Sequence, residues 1–155
     1  MVNQLSTTWD EYFIDLADVV RKKSKDPSSK IGAVIVGPDR EVLSTGYNGF
    51  PRGIDEEDQT RWERPIKYEF VSHAEANAVF NAARVGVSLK GATLYLVGFG
   101  PPSLPCTECS KAIIQAGIVR VVGHAYKPMQ AGWDESCKFA GDLLAEAGVE
   151  FCEHA

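Results

Sequence analysis

The sequence predicts an α/β protein in which helices cover a mixed β-sheet on both sides, an α/β/α layering. Two observations carry this: apolar, β-branched runs alternate with segments of helical periodicity, and two of the early runs are joined by a tight turn. Parallel pairing is expected wherever a helix intervenes between strands, and a hairpin at the start makes the sheet mixed. The chain's 155 residues, 45% of them hydrophobic, suit one globular domain over 1–155 with a single sizeable core.

From Thr8 to about Ser24, Trp9, Tyr12, Phe13, Leu16, Ala17, Val19 and Val20 recur at helical spacing behind early acids, which predicts an amphipathic first helix. Lys25 to Ser29 reads as a loop. Ile31 to Val36 is an apolar strand closed by Gly37-Pro38-Asp39, and Glu41 to Tyr47 completes the hairpin. Asn48 to Phe70 is a long segment holding Pro51, acidic Asp55 to Asp58, and Trp62, Tyr68 and Phe70; its length and aromatics suggest function. Ala74 to Arg84 is helical and stopped by Gly86. Then follow a strand over Thr93 to Val97, a helix over Cys106 to Gln115 stopped by Gly117, and a short strand over Arg120 to Gly123. A helix over Asp134 to Ala147 and a strand over Val149 to Cys152 end the pattern.

Within this frame, His73-Ala74-Glu75 precedes Pro105-Cys106-Thr107-Glu108-Cys109. His73, Cys106 and Cys109 are three zinc ligands and Glu75 is an unligated carboxylate. Three protein ligands leave a coordination position for water, the mark of a catalytic site, whereas a structural zinc is closed by four. Cys106 and Cys109, at i and i+3 of a first helical turn, reach one ion together, and Pro105 starts that turn without wasting a donor. Both ligand groups lie at helix N-termini, where backbone dipoles favour thiolates. Glu75 is then placed to move protons; Glu108, between the cysteines, reads as solvated first-turn charge.

Net charge is −5, which disfavours a sequence-independent grip on nucleic acid and fits a small substrate. The N-terminal residues carry no signal-peptide pattern, and no stretch approaches the roughly 20 apolar residues of a membrane span, so a cytoplasmic protein without membrane attachment is expected. Cys137 and Cys152 read as plain thiols.

The order and spacing H-x-E then P-C-x-x-C match the pattern of zinc nucleobase deaminases. With Trp9 to Phe13, Ile31 to Val36, Thr45-Gly46-Tyr47-Asn48-Gly49-Phe50-Pro51, His73 to Ala78 and Ala116-Gly117-Ile118, the chain resembles the cytidine deaminase superfamily and, within it, the deoxycytidylate (dCMP) deaminases. The resemblance implies a five-stranded sheet, one zinc per chain on His73, Cys106 and Cys109, and Glu75 as proton shuttle. It further implies Asn48 and the Ala74 backbone N–H as substrate contacts, and homo-oligomers in which Trp133, Phe139 and Phe151 either pack at contacts or fill the core. Tyr126 and Lys127, following the fourth strand at the sheet end where α/β proteins bind ligands, are candidate phosphate contacts.

Two features depart from that family. Gly98 to Leu104 is inserted between the third strand and Pro105, and acidic Asp55 to Asp58 stands near the expected mouth, to be offset by Arg52, Arg61, Arg64 or Lys67. The expected reaction is deamination of dCMP to dUMP. Alternatives are another small aminated heterocycle admitted by the insertion, or a structural zinc module closed by Cys137 or His124.

Overall fold

The computed structural model describes residues 7–129 and 131–155; the N-terminal composition noted above falls largely outside them. Five strands, β1 (Gly32–Val36), β2 (Val42–Tyr47), β3 (Thr93–Gly100), β4 (Arg120–Pro128) and β5 (Glu150–Glu153), form one sheet in the order β2-β1-β3-β4-β5. β1 pairs antiparallel with β2 and β3, while β3–β4 and β4–β5 are parallel. The parallel pairs are those joined through α4 (Thr107–Gln115) and α5 (Asp134–Glu146), as a crossover requires.

Helix α1 (Trp9–Arg21) packs on one face, setting Phe13, Ile14 and Ala17 against Val34, Val36, Tyr95, Val97 and Val122. It begins with a capping box, in which the Thr8 hydroxyl accepts from Glu11 N and the Glu11 carboxylate accepts from Thr8 N; such a cap is worth about 1 kcal/mol. Helices α3 (Ala74–Val85), α4 and α5 cover the other face around Ala33, Ile35, Leu94, Leu96 and Val121. Phe151 packs on this second core, so of the three aromatics considered for subunit contacts it is absorbed by the fold, while Phe139 stays exposed. Among the described residues no helix is long and apolar enough to cross a membrane.

Two strands are longer than the sequence pattern indicates. β3 runs on to Gly100, so the Gly-Phe-Gly start of the insertion is strand, and β4 runs on to Pro128 because the two extensions pair, Phe99 with Lys127 and Gly100 with Pro128. Ladder hydrogen bonds hold residues there whose own β-propensity is poor. Tyr126 and Lys127 accordingly lie within β4 and not after it.

The segment after β2 builds its own small core. Phe50 stacks on Trp62 at 4.1 Å and on Phe70 at 5.1 Å, and Trp62 Nε1 donates to Glu56 O at 2.9 Å. A 3-10 turn (Gln59–Trp62) and the single-turn helix α2 (Lys67–Phe70) lead into α3.

Gly46 of β2 sets how closely α3 approaches the sheet. A Cβ there would lie 2.3 Å from Ala78 N and 2.4 Å from Ala74 O. Gly46→Ala is therefore expected to push α3 off β2, costing about 1–3 kcal/mol as overpacking does. It should lower zinc occupancy as well, because His73 starts that helix. Urea unfolding together with zinc analysis checks both.

Candidate active site

His73 is the N-cap residue of α3, in extended backbone conformation and with no side-chain cap bond, which leaves its ring available. Cys106 is the N-cap of α4 and Cys109 sits in the first turn of that helix. Both sulfurs converge on His73 Nδ1, Cys106 Sγ at 3.4 Å and Cys109 Sγ at 3.5 Å. Zinc bonds of about 2.0–2.1 Å to nitrogen and about 2.3 Å to sulfur, at a tetrahedral angle, place N and S about 3.5 Å apart. The three side chains are therefore positioned to hold one zinc ion, with ligand atoms all within 4.8 Å of one another. No fourth His, Cys, Asp or Glu joins this group among the described residues. Cys137 stands nearby and touches Leu104 O at 4.0 Å, and His124 contacts His154 O through Nδ1, so neither of the proposed closing ligands completes the set.

Without metal the three ligands share protons. The Cys106 thiol is lowered to about 4, first by the hydrogen bond from Cys109 and then by His73. Cys109 is pushed up by that same bond and by burial, and His73 is raised to about 9 by its bond to Cys106. Zinc must displace the protons on Cys109 and His73, because its ligands are thiolate and neutral imidazole. Zinc affinity is thus expected to rise with pH, and to rise less steeply above about 9, where His73 has given up its proton and only Cys109 still holds one. Chelator competition at several pH values reads it, and a flat profile would contradict this proton count.

Glu75, in the first turn of α3, is 6% exposed and lines the cavity beside His73 and Cys106. Burial pushes its carboxyl up, and the neighbouring imidazole opposes that. Ala74, fully buried, lines the same cavity.

Asn48 also lines the cavity, but its amide is largely committed. Oδ1 accepts from Ile31 N at 2.8 Å; Nδ2 donates to Ser29 O at 2.8 Å and to Asp26 Oδ2 at 3.3 Å. What it retains for a ligand is the second lone pair of Oδ1, an acceptor for a hydroxyl.

Behind Asn48 lies a buried ion pair. Lys67 Nζ is 2.7 Å from Asp26 Oδ2 and 3.0 Å from Ser28 Oγ, with Asp26 1% and Lys67 4% exposed. Asp26 Oδ1 accepts from Ser28 N, Ser28 Oγ and Ser29 N. Asp26, Lys67 and Arg64 all line the cavity, whereas none of Asp55 to Asp58 does. That acidic run makes its contacts elsewhere, Glu57 to Lys25 and Asp58 to Arg61. Asp26 is the residue missed at the sequence level; its signal was Asp-Pro-Ser-Ser, an aspartate followed by small donors that it caps.

Tyr126 and Lys127 do not line the cavity. The Tyr126 hydroxyl accepts from Lys30 N at 3.0 Å and Lys127 Nζ donates to Ser28 O at 3.2 Å, so both brace the Lys25 to Lys30 loop that carries cavity residues. The rest of the wall is apolar: Phe99 and Leu104 from the insertion, with Met129 and Trp133. Trp133, whose ring centre is 6.1 Å from that of His73, thus belongs to the cavity.

A nitrogen-and-sulfur zinc centre with three protein ligands, open towards a cavity and flanked by a buried acid, has the chemistry of metal-dependent hydrolases. A model of the cytidine and deoxycytidylate deaminase zinc-binding region matches residues 7–125. Deoxycytidylate deaminases of Pongo abelii and Mus musculus are each 41% identical over 149 residues, covering 92% of this chain and 78% of the relative. The crystal structure of a dCMP deaminase from cyanophage S-TIM5, in complex with dCMP and dUMP, is 27% identical, covers 97% of this chain and 100% of that one, and has a TM-score of 0.74. The chain belongs to the cytidine and deoxycytidylate deaminase family of zinc-dependent hydrolytic deaminases.

Proposed function

We propose that this enzyme converts dCMP and water to dUMP and ammonia. The observation that carries the reading is the cavity itself, whose lining brings His73, Cys106 and Glu75 together with Asn48, Lys67 and Arg64. Support comes from relatives named deoxycytidylate deaminase and from the phage enzyme solved with dCMP and dUMP.

When bound, zinc supplies Lewis-acid chemistry, lowering the pKa of a coordinated water towards neutrality. Glu75 takes a proton from the attacking water and passes it to the pyrimidine ring nitrogen as the ring carbon becomes tetrahedral; it then takes the second proton, from the hydroxyl now on that carbon, and delivers it to the amine, which leaves as ammonia as the ring carbonyl forms. Its buried position suits this, since a carboxyl pushed up by burial accepts and releases a proton more evenly. The Ala74 N–H meets the ring carbonyl, and the remaining Asn48 lone pair accepts from a sugar hydroxyl. Arg64 and Lys67 give the cavity its cations and Lys67 neutralises Asp26, so a phosphate meets no unpaired carboxylate from Asp26. Tyr126 and Lys127 act on the phosphate end through the loop they brace. The enzyme works in the cytoplasm as a homo-oligomer, with exposed Phe80, Val85 and Phe139 available for subunit contacts.

Ammonia release from the zinc-loaded protein against dCMP, deoxycytidine, cytosine and aminated purines tests this. A strong preference for dCMP is expected. Preference for another ring would instead show that the wall formed by Phe99 and Leu104 selects a different heterocycle.

A further inference from the structure

The inserted segment walls the cavity through Gly98, Phe99 and Leu104, yet it is anchored from the far edge of the sheet. Gly123 in β4 and Glu153 in β5 are paired in register, so they present to the same face of neighbouring strands. Ser103 sits over Gly123 and is 1% exposed. A Cβ on Gly123 would lie 2.4 Å from Ser103 O and 2.9 Å from Ser103 Cβ, so the seat exists only because residue 123 has no side chain. Beside that seat the Glu153 carboxylate accepts from Ser103 N at 2.7 Å, and the Ser103 hydroxyl donates back to Phe99 O at 2.8 Å.

β5 itself is fastened at this point, where His154 N donates to Gly123 O at 2.7 Å. Leu104, the next residue, then packs against α5, its Cδ1 lying 3.4 Å from where a Cβ on Gly141 would stand. The chain of contacts therefore runs from β5 through Ser103 to both apolar wall residues. Glu153 touches neither the metal ligands nor the cavity.

We propose that Glu153 is a positioning residue for ring binding, latching the 98–104 segment across Gly123 so that Phe99 and Leu104 hold the wall of the substrate cavity. This rests on the deamination of dCMP proposed above. A charge-assisted bond to a buried N–H is among the stronger ones, and losing its acceptor leaves the donor seeking water. The segment then lifts, and the wall moves with it.

The test compares Glu153→Ala, which removes the acceptor, with Glu153→Gln, whose amide oxygen still accepts from Ser103 N. For Glu153→Ala, KM for dCMP is expected to rise about tenfold with kcat changed by less than about twofold, as loss of ground-state binding predicts, and zinc content stays at the wild-type level. Glu153→Gln should stay close to wild type. Amide hydrogen exchange over 99–104 should quicken in the alanine variant and not in the glutamine variant. An unchanged KM in Glu153→Ala, an equal rise in both variants, or a fall in kcat that follows zinc loss would overturn the proposal. If the wild type does not turn over dCMP, the substrate reading fails, and the exchange comparison still decides whether Glu153 holds the segment.

Discussion

Glu75→Gln is expected to keep its zinc and to lose dCMP turnover by about 10²–10⁴-fold, the usual contribution of a positioned acid–base group. The amide has almost the same volume, so α3 keeps its start and His73 its place. What disappears is, among the described residues, the only cavity-lining carboxyl that is not already ion-paired, since Asp26 is held by Lys67. Zinc analysis and single-turnover deamination read the two parts separately. Retained zinc with lost turnover is the expected pair; retained turnover would remove Glu75 from the proton path.

Lys67→Met is expected to have the largest effect on stability, about 3–5 kcal/mol, because it strands the Asp26 carboxylate in a buried site. Burial alone would push the Asp26 carboxyl up, and the bonds from Lys67, Ser28 and Ser29 outweigh this and hold it below the usual carboxylate value. A group lowered in the folded state contributes stability above its unfolded pKa and loses it as pH falls through the folded value. The gap between wild type and variant should therefore be widest near neutrality and narrow on acidification. Urea unfolding across pH measures it, and Asp26→Asn added to Lys67→Met should recover part of the loss. A variant as stable as wild type at neutral pH would show that the pair carries little of the fold.

The layered α/β architecture and the zinc site were legible because each rests on local signals. Helix periodicity, the hairpin turn, the H-x-E spacing and the P-C-x-x-C spacing are each contained in a short stretch of chain, and the two helix starts that the last two mark converge as the topology brings β2–α3 and β3–α4 together. The extension of β3 and β4 was not legible, since Gly98 and Gly100 carry no strand propensity and are held only by their partners across the ladder. The Asp26–Lys67 pair joins a loop after α1 to α2, and nothing in either stretch points to the other. Asn48 was legible as a cavity residue but not as one whose amide is mostly spent on Ile31, Ser29 and Asp26, which depends on the folded position of the loop before β1.

The central claim is hydrolysis of the exocyclic amine of dCMP at this three-ligand zinc site. The most direct measurement is mass analysis of the nucleotide after incubating the zinc-loaded protein with dCMP in water enriched in heavy oxygen. The account predicts dUMP carrying the heavy oxygen on its ring, one ammonia released for each, and no product from the zinc-stripped protein until zinc is restored. Recovery of unlabelled dCMP from fully zinc-loaded protein would contradict it.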